Sequence, residues 1–222
     1  MLPLLSLLET RVLGVLVEKQ HTVADTYPLT LNALVAGCNQ KTSRDPVLSA
    51  TDAEVQLDID RLRLLSLVVE SSGGRVMRYA HNVERVLSLP SQAVALLATL
   101  MLRGAQTTGE LRINSERLHR FADVSAVDGF LRELAQRAEG ALVEEMPRAA
   151  GERENRWVHL LSGRAAIAAM TAPITAAATS DSITLSELAV LKASMGEMRD
   201  DIDRLRASVA RLREELGASP ER

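Results

Sequence analysis

One arrangement occurs twice in this chain: three helical stretches, then two short extended runs, with the third helix apolar at i, i+4 and i+7. In the first copy that helix starts at Thr51, which forms a capping box with Glu54, and it presents Val55, Ile59 and Leu62 on one face. In the second, residues 125–138 present Val127, Leu131 and Leu134 at the same spacing. A 3.6-residue period handing over to a two-residue period is a helix feeding a hairpin. A period of roughly 80 residues is domain-sized and too long for a solenoid.

Each copy can be read in order. Ser6 and Glu9 form a capping box for a helix reaching about Lys19, with Val12, Leu13 and Leu16 on one face. Tyr27-Pro28 breaks the chain, and Leu29, Leu31, Leu34 and Val35 predict a short helix ending near Cys38. Residues 40–46 form a polar loop closed by Asp45-Pro46. Residues 67–69 and 75–80 are the two strands around Gly73-Gly74. In the second copy, Pro90 opens a helix through Leu102 carrying Val94, Leu97 and Met101, and Thr107 with Glu110 caps the next. Residues 142–146 and 156–161 form a hairpin around a charged tip. This is the winged-helix order, in which the third helix can enter a major groove and the hairpin can lie along the backbone.

A second periodic signal runs from Glu187 to Leu216. Leu188, Leu191, Met195, Met198, Ile202, Leu205, Val209, Leu212 and Leu216 alternate spacings of three and four, the heptad rule for two left-handed supercoiled helices. Lys192, Arg199, Arg206 and Arg213 occupy e positions, and Glu187, Asp201 and Glu215 occupy g positions. A parallel pair sets Glu187 against Lys192 and Asp201 against Arg206, whereas an antiparallel pair sets basic e against basic e. The expectation is a parallel homodimer, with the paired residues as its dimerisation seam. The fold class expected is therefore mostly α with small β-hairpins (α+β): tandem winged-helix domains followed by a C-terminal coiled-coil helix. Its parts are residues 1–85 and 86–163 as winged-helix domains, an Ala-rich linker at 164–183, and a dimerisation helix at 184–217.

Composition narrows the function. Trp157, Tyr27, Tyr79, Phe121 and Phe130 are the only aromatics, so stacking platforms for single strands or flat cofactors are nearly excluded. The net charge of −3 gives no general attraction to polyanions. Cys38 is the single cysteine, which leaves no intrachain disulfide or cysteine zinc cluster and reads as a small buried hydrophobe. The apolar start, residues 2–8, is too short to span a bilayer and lacks a basic leader, so no membrane association and a cytoplasmic location are expected. His21, His81, His119 and His159 form no metal-spaced pair, and there is no phosphate-binding glycine loop or nucleophile elbow. No catalytic site, metal or cofactor is expected; the protein reads as no enzyme.

Several stretches carry a family resemblance. They are Leu8-Glu9-Thr10-Arg11-Val12 with Glu18-Lys19-Gln20, the run from Tyr27 to Leu34, and Cys38-Asn39-Gln40-Lys41-Thr42-Ser43-Arg44-Asp45-Pro46. Leu102-Arg103-Gly104-Ala105-Gln106-Thr107, Gly109-Glu110-Leu111-Arg112 and Arg153-Glu154-Asn155-Arg156-Trp157 with His159 complete the set. Taken in order, these resemble the YceH-like family of uncharacterised bacterial proteins. The resemblance implies tandem winged helices and a heptad-like tail, with no biochemical activity attached. Trp157 stands where that resemblance leads one to expect Tyr, a change compatible with packing.

Candidate contact residues divide between two functions. The third helix of the first copy carries Asp52, Glu54, Asp58 and Asp60 ahead of Arg61 and Arg63, which makes it a poor groove reader. The second copy supplies Arg112, Arg117, Arg132, Arg148, Arg153 and Arg156, although residues 86–164 hold ten basic and ten acidic residues. Those arginines either converge on one face or dissolve into surface ion pairs. In the 39–45 loop, Asn39 and Asp45 suit a turn, while Lys41 and Arg44 suit contact with an anion. One reading is a dimeric DNA-binding regulator acting on double-stranded DNA through the second copy. The other is a scaffold whose winged helices bind another protein, favoured by the acidic helix and the negative total.

Overall fold

In a computed structural model of the chain, residues 3–72, 76–148 and 151–163 are described. Over these residues the protein mixes helices with small antiparallel hairpins. The first copy comprises α1 (Leu7–Thr22), α2 (Leu31–Cys38), α3 (Asp52–Leu64), β1 (Val68–Ser71) and β2 (Arg78–His81). A short α4 (Val83–Leu87) leads into the second: α5 (Ser91–Arg103), α6 (Thr108–Asn114), α7 (Val124–Ala135), β3 (Val143–Met146) and β4 (Arg156–His159). Strand β1 pairs with β2, and β3 with β4, both antiparallel. The linker expected at 164–183 and the heptad helix expected at 184–217 lie outside the described residues.

Local chemistry accounts for the helix starts. Ser6, Thr51 and Thr107 each accept the backbone N–H of Glu9, Glu54 and Glu110, and each glutamate reaches back to the cap's own N–H. Caps of this kind contribute about 1 kcal/mol each. Thr30 and Asp123 cap α2 and α7 in the simpler form. Helix α1 continues beyond the expected Lys19 to Thr22, whereas α7 ends at Ala135 rather than at residue 138. Helix α4, at five residues, is too short for periodicity to announce.

The buried surface of α1 departs from the one-faced helix that its spacing predicts. Every residue from Glu9 to Val17 is buried, because α2, α3 and α5 all pack against α1. Helix α5 is likewise buried from Ala93 to Leu102. Gly14 allows this approach: a Cβ there would stand 2.9 Å from Leu102 Cγ. Both copies lie in one compact unit and share one contiguous apolar core. Burying a leucine or valine in such a core contributes about 1.5–3 kcal/mol.

The duplication extends to individual hydrogen bonds. Leu29, just ahead of α2, bridges to Tyr79 of β2; Gln106, just ahead of α6, bridges to Trp157 of β4. Arg78 opens β2 and donates to the Pro28 carbonyl at 2.7 Å; Arg156 opens β4 and donates to the Ala105 carbonyl at 3.2 Å. His81 faces Val68 in the first hairpin as His159 faces Val143 in the second. In each copy an arginine thus ties the hairpin to the segment that starts the second helix.

Candidate nucleic-acid interface

Helices α6 and α7, the turn between them, and the β3–β4 hairpin form the region where the sequence places most of its contact arginines. The turn is fixed by aromatic packing: His119 and Phe121 meet edge-on at 4.7 Å, and Phe121 meets Phe130 at 5.9 Å. Helix α7 buries Val127, Leu131 and Leu134, the predicted triple, and leaves Ser125, Gly129, Arg132 and Glu133 toward solvent. Nothing stands within 4 Å of the place a Cβ on Gly129 would occupy, so this face allows close approach.

The arginines fall into two groups. Arg132 is exposed but bonded to Asp128 at 2.7 Å. Arg156 is held by Glu110 at 2.9 Å and Glu152 at 3.0 Å besides the Ala105 carbonyl, so it secures the hairpin's root. Arg112 on α6 and Arg148 and Arg153 on the hairpin tip are exposed, and among the described residues none has a carboxylate within ion-pair reach. Arg117 is also exposed without such a partner, yet it borders the junction of the two copies rather than the hairpin.

Arg44 requires a correction. The sequence marks it as available to an anion, but it is buried, with 6% of its surface exposed. Its guanidinium bonds both oxygens of Glu18 and the carbonyls of Gly37 and Ser43. Lys41, in the same loop, is exposed. Asn39 ends α2, as the turn reading expects, and its side chain exchanges two 2.7 Å bonds with the Ala50 backbone. A second buried arginine, Arg11 on α1, donates to the Cys38 carbonyl at 3.2 Å and the Pro46 carbonyl at 2.6 Å. Sequence reasoning passed over Arg11; its presence amid an apolar helical run was the available signal. Cys38 is fully buried, and burial pushes its thiol up to about 12, far from a nucleophile's range.

The loop after α2 docks on the end of α5. Asp45 N–H donates to the Leu102 carbonyl at 2.8 Å, and Arg103 Nη2 donates to Ser43 Oγ at 2.7 Å. Gly104 adopts φ +71°, and a Cβ there would meet Asp45 Oδ2 at 3.3 Å. Two of the stretches behind the family resemblance, 38–46 and 102–107, therefore contact each other. Beside this junction opens a polar cleft of about 170 Å³, lined among others by Glu18, Lys19, Gln40, Arg103, Asn114 and Arg117. Spacing rules could not assemble it, since its walls come from both copies.

Comparison with known proteins gives a consistent placement. A family model described as "Protein of unknown function, DUF480" matches residues 5–152. A UPF0502 protein of Burkholderia ambifaria is 57% identical over 210 residues, covering 95% of this chain and 88% of that protein. A UPF0502 protein of Leptothrix cholodnii is 56% identical over 211 residues, covering 95% of each. On these matches the chain belongs to the DUF480 (UPF0502) family of bacterial proteins.

Proposed function

We propose that this protein is a tandem winged-helix, DNA-binding regulator that works as a dimer, without catalysis, in the cytoplasm. The observation that carries the reading is the set of exposed arginines, Arg112 on α6 and Arg148 and Arg153 on the tip of the β3–β4 hairpin, that have no acid partner among the described residues. Guanidinium groups without local carboxylates are available to phosphates, and small residues on α7 permit approach to a groove. The helix-helix-helix-hairpin order supports assignment of the winged-helix type. The heptads at 184–217 support dimerisation through a parallel coiled coil, which would bring paired modules to two half-sites. No helix among the described residues is long and apolar enough to cross a membrane.

The test is a titration of the full chain with random and genomic duplexes at several salt concentrations. Affinity that falls steeply with salt supports the reading; no binding at low salt, or a slope near zero, removes it. One observation favours protein binding as the second reading. Helix α3 exposes Leu57 (64%) and Leu64 (86%), with Asp60 between them paired to Arg63, which leaves an apolar patch without a free cation among the described residues. Capture of a single protein partner that is lost on Leu57→Ser would support it.

A further inference from the structure

The cleft between the two copies has the chemistry of a small-anion site. Its walls are the C-terminal end of α1 (Glu18, Lys19, Thr22), the loop after α2 (Gln40, Ser43), the end of α5 (Leu102, Arg103), the last residue of α6 (Asn114) and the turn after it (Arg117). Apart from the Ser43 hydroxyl, which accepts from Arg103, its neutral side-chain donors are already engaged. The Thr22 and Thr99 hydroxyls donate to the carbonyls of Glu18 and Ala95, Gln40 Nε2 donates to Thr42, and Asn114 Nδ2 donates to Gln106. The one carboxylate in the wall, Glu18, is matched by Arg44 at 2.6 Å and Lys19 at 3.3 Å.

What remains is positive. Arg103 uses Nη2 on Ser43 Oγ, and among the described residues neither it nor Arg117 has an acid within ion-pair reach. The two guanidiniums offer forked donors of fixed geometry, the arrangement that binds phosphate or carboxylate through paired hydrogen bonds. Arg103 is half-buried, so its charge is poorly screened. At about 170 Å³ the space is well below that of a drug-sized site, roughly 300 Å³ or more. The occupant must be small.

We infer that this cleft binds a small multivalent oxyanion, a phosphate group or a short polycarboxylic acid, between Arg103 and Arg117. Bound there, the anion bridges α5 and the turn after α6 of the second copy while touching α1 and the 39–46 loop of the first. It neutralises the surplus charge at the junction and strengthens the contact between the copies. This inference stands apart from the DNA reading, because Arg112, Arg148 and Arg153 do not line the cleft.

The experiment is isothermal titration of the full chain with inorganic phosphate and, separately, citrate, in low-salt buffer without DNA, alongside thermal unfolding. Saturable binding of at least one of the two and a rise in melting temperature are expected, and which anion binds tells the phosphate class from the carboxylate class. Arg117→Gln, a change at an exposed side chain, weakens binding about tenfold or more, as loss of a charge-assisted bond requires. Arg103→Gln does the same if circular dichroism shows it folded, and Arg85→Gln, outside the cleft, leaves binding unchanged. Absence of saturable binding by either anion, or binding unaltered by Arg117→Gln, overturns the proposal.

Discussion

Arg44 grips Glu18 through two hydrogen bonds, Nη1 to Oε1 at 3.2 Å and Nη2 to Oε2 at 2.6 Å, with the guanidinium wholly buried and the carboxylate 15% exposed. The pair joins the middle of the chain's most distinctive loop to α1. It explains why that loop can serve as a rigid dock for the end of α5.

Removing one member should therefore cost more than an ordinary surface pair. Arg44→Met leaves the Glu18 carboxylate and the Gly37 carbonyl without their donor, and the expected loss is about 3–5 kcal/mol in urea unfolding. Glu18→Gln keeps an acceptor in place but leaves the wholly buried guanidinium without its counter-charge, so it should also cost about 3 kcal/mol. Losses below about 1 kcal/mol for both variants, as at a surface pair, would argue against a buried-charge origin.

Stability should fall on acidification in two windows. Burial pushes His81 down to about 4, with His21 adding to the effect, and burial alone does the same to His159. Both histidines are thus neutral in the fold, their Nδ1 atoms lack partners among the described residues, and an unfolded chain takes up their protons first. Their contribution is complete above the unfolded value of 6.5 and is lost as pH falls toward 4, on the order of 1–3 kcal/mol for each. Glu18 acts lower on the scale. Burial raises its carboxyl, but bonding to Arg44 and the charges of Arg44 and Lys19 outweigh it, so its folded value lies below the ordinary carboxylate one. Its contribution disappears only as pH drops through that lowered value. His159→Gln should flatten the upper window in a pH series of thermal melts.

Close packing around α1 gives a third test. A Cβ at Gly37 would sit 2.6 Å from Val15 Cγ1, and both residues are buried. Gly37→Ala should destabilise by about 1–3 kcal/mol through overpacking. Adding Val15→Ala should recover part of that loss, and a double-mutant cycle measures the coupling. Gly14→Ala, whose Cβ would press on Leu102, should act in the same direction by loosening α1 from α5.

For the hairpin tip, Arg148→Gln and Arg153→Gln should each lower DNA affinity without sequence preference and reduce the salt slope by about 1. Arg156→Gln should instead weaken the hairpin's attachment, because its partners are Glu110, Glu152 and the Ala105 carbonyl. Hydrogen exchange across β3 and β4 distinguishes these outcomes.

For assembly, sedimentation of the full chain at micromolar concentration should give a dimer. Leu205→Asp, in the heptad seam, should give a monomer with the folded copies intact by circular dichroism.

The sequence alone determined whatever depends on neighbours a few residues away. Ser6 with Glu9, Thr51 with Glu54 and Thr107 with Glu110 mark helix starts because a cap and its N3 partner lie three residues apart. The triples Val55-Ile59-Leu62 and Val127-Leu131-Leu134 mark buried faces because helical geometry alone stacks them. Only the tertiary structure decided that Arg44 is a core anchor, that Arg11 is buried beside it, and that α1 is enclosed by both copies. It likewise brought Arg103 and Arg117 to one cleft. Periodicity says that a face is buried but not what it meets. An arginine has the same composition whether a distant carboxylate engages it or not; the fold alone settles which partner comes within bonding distance.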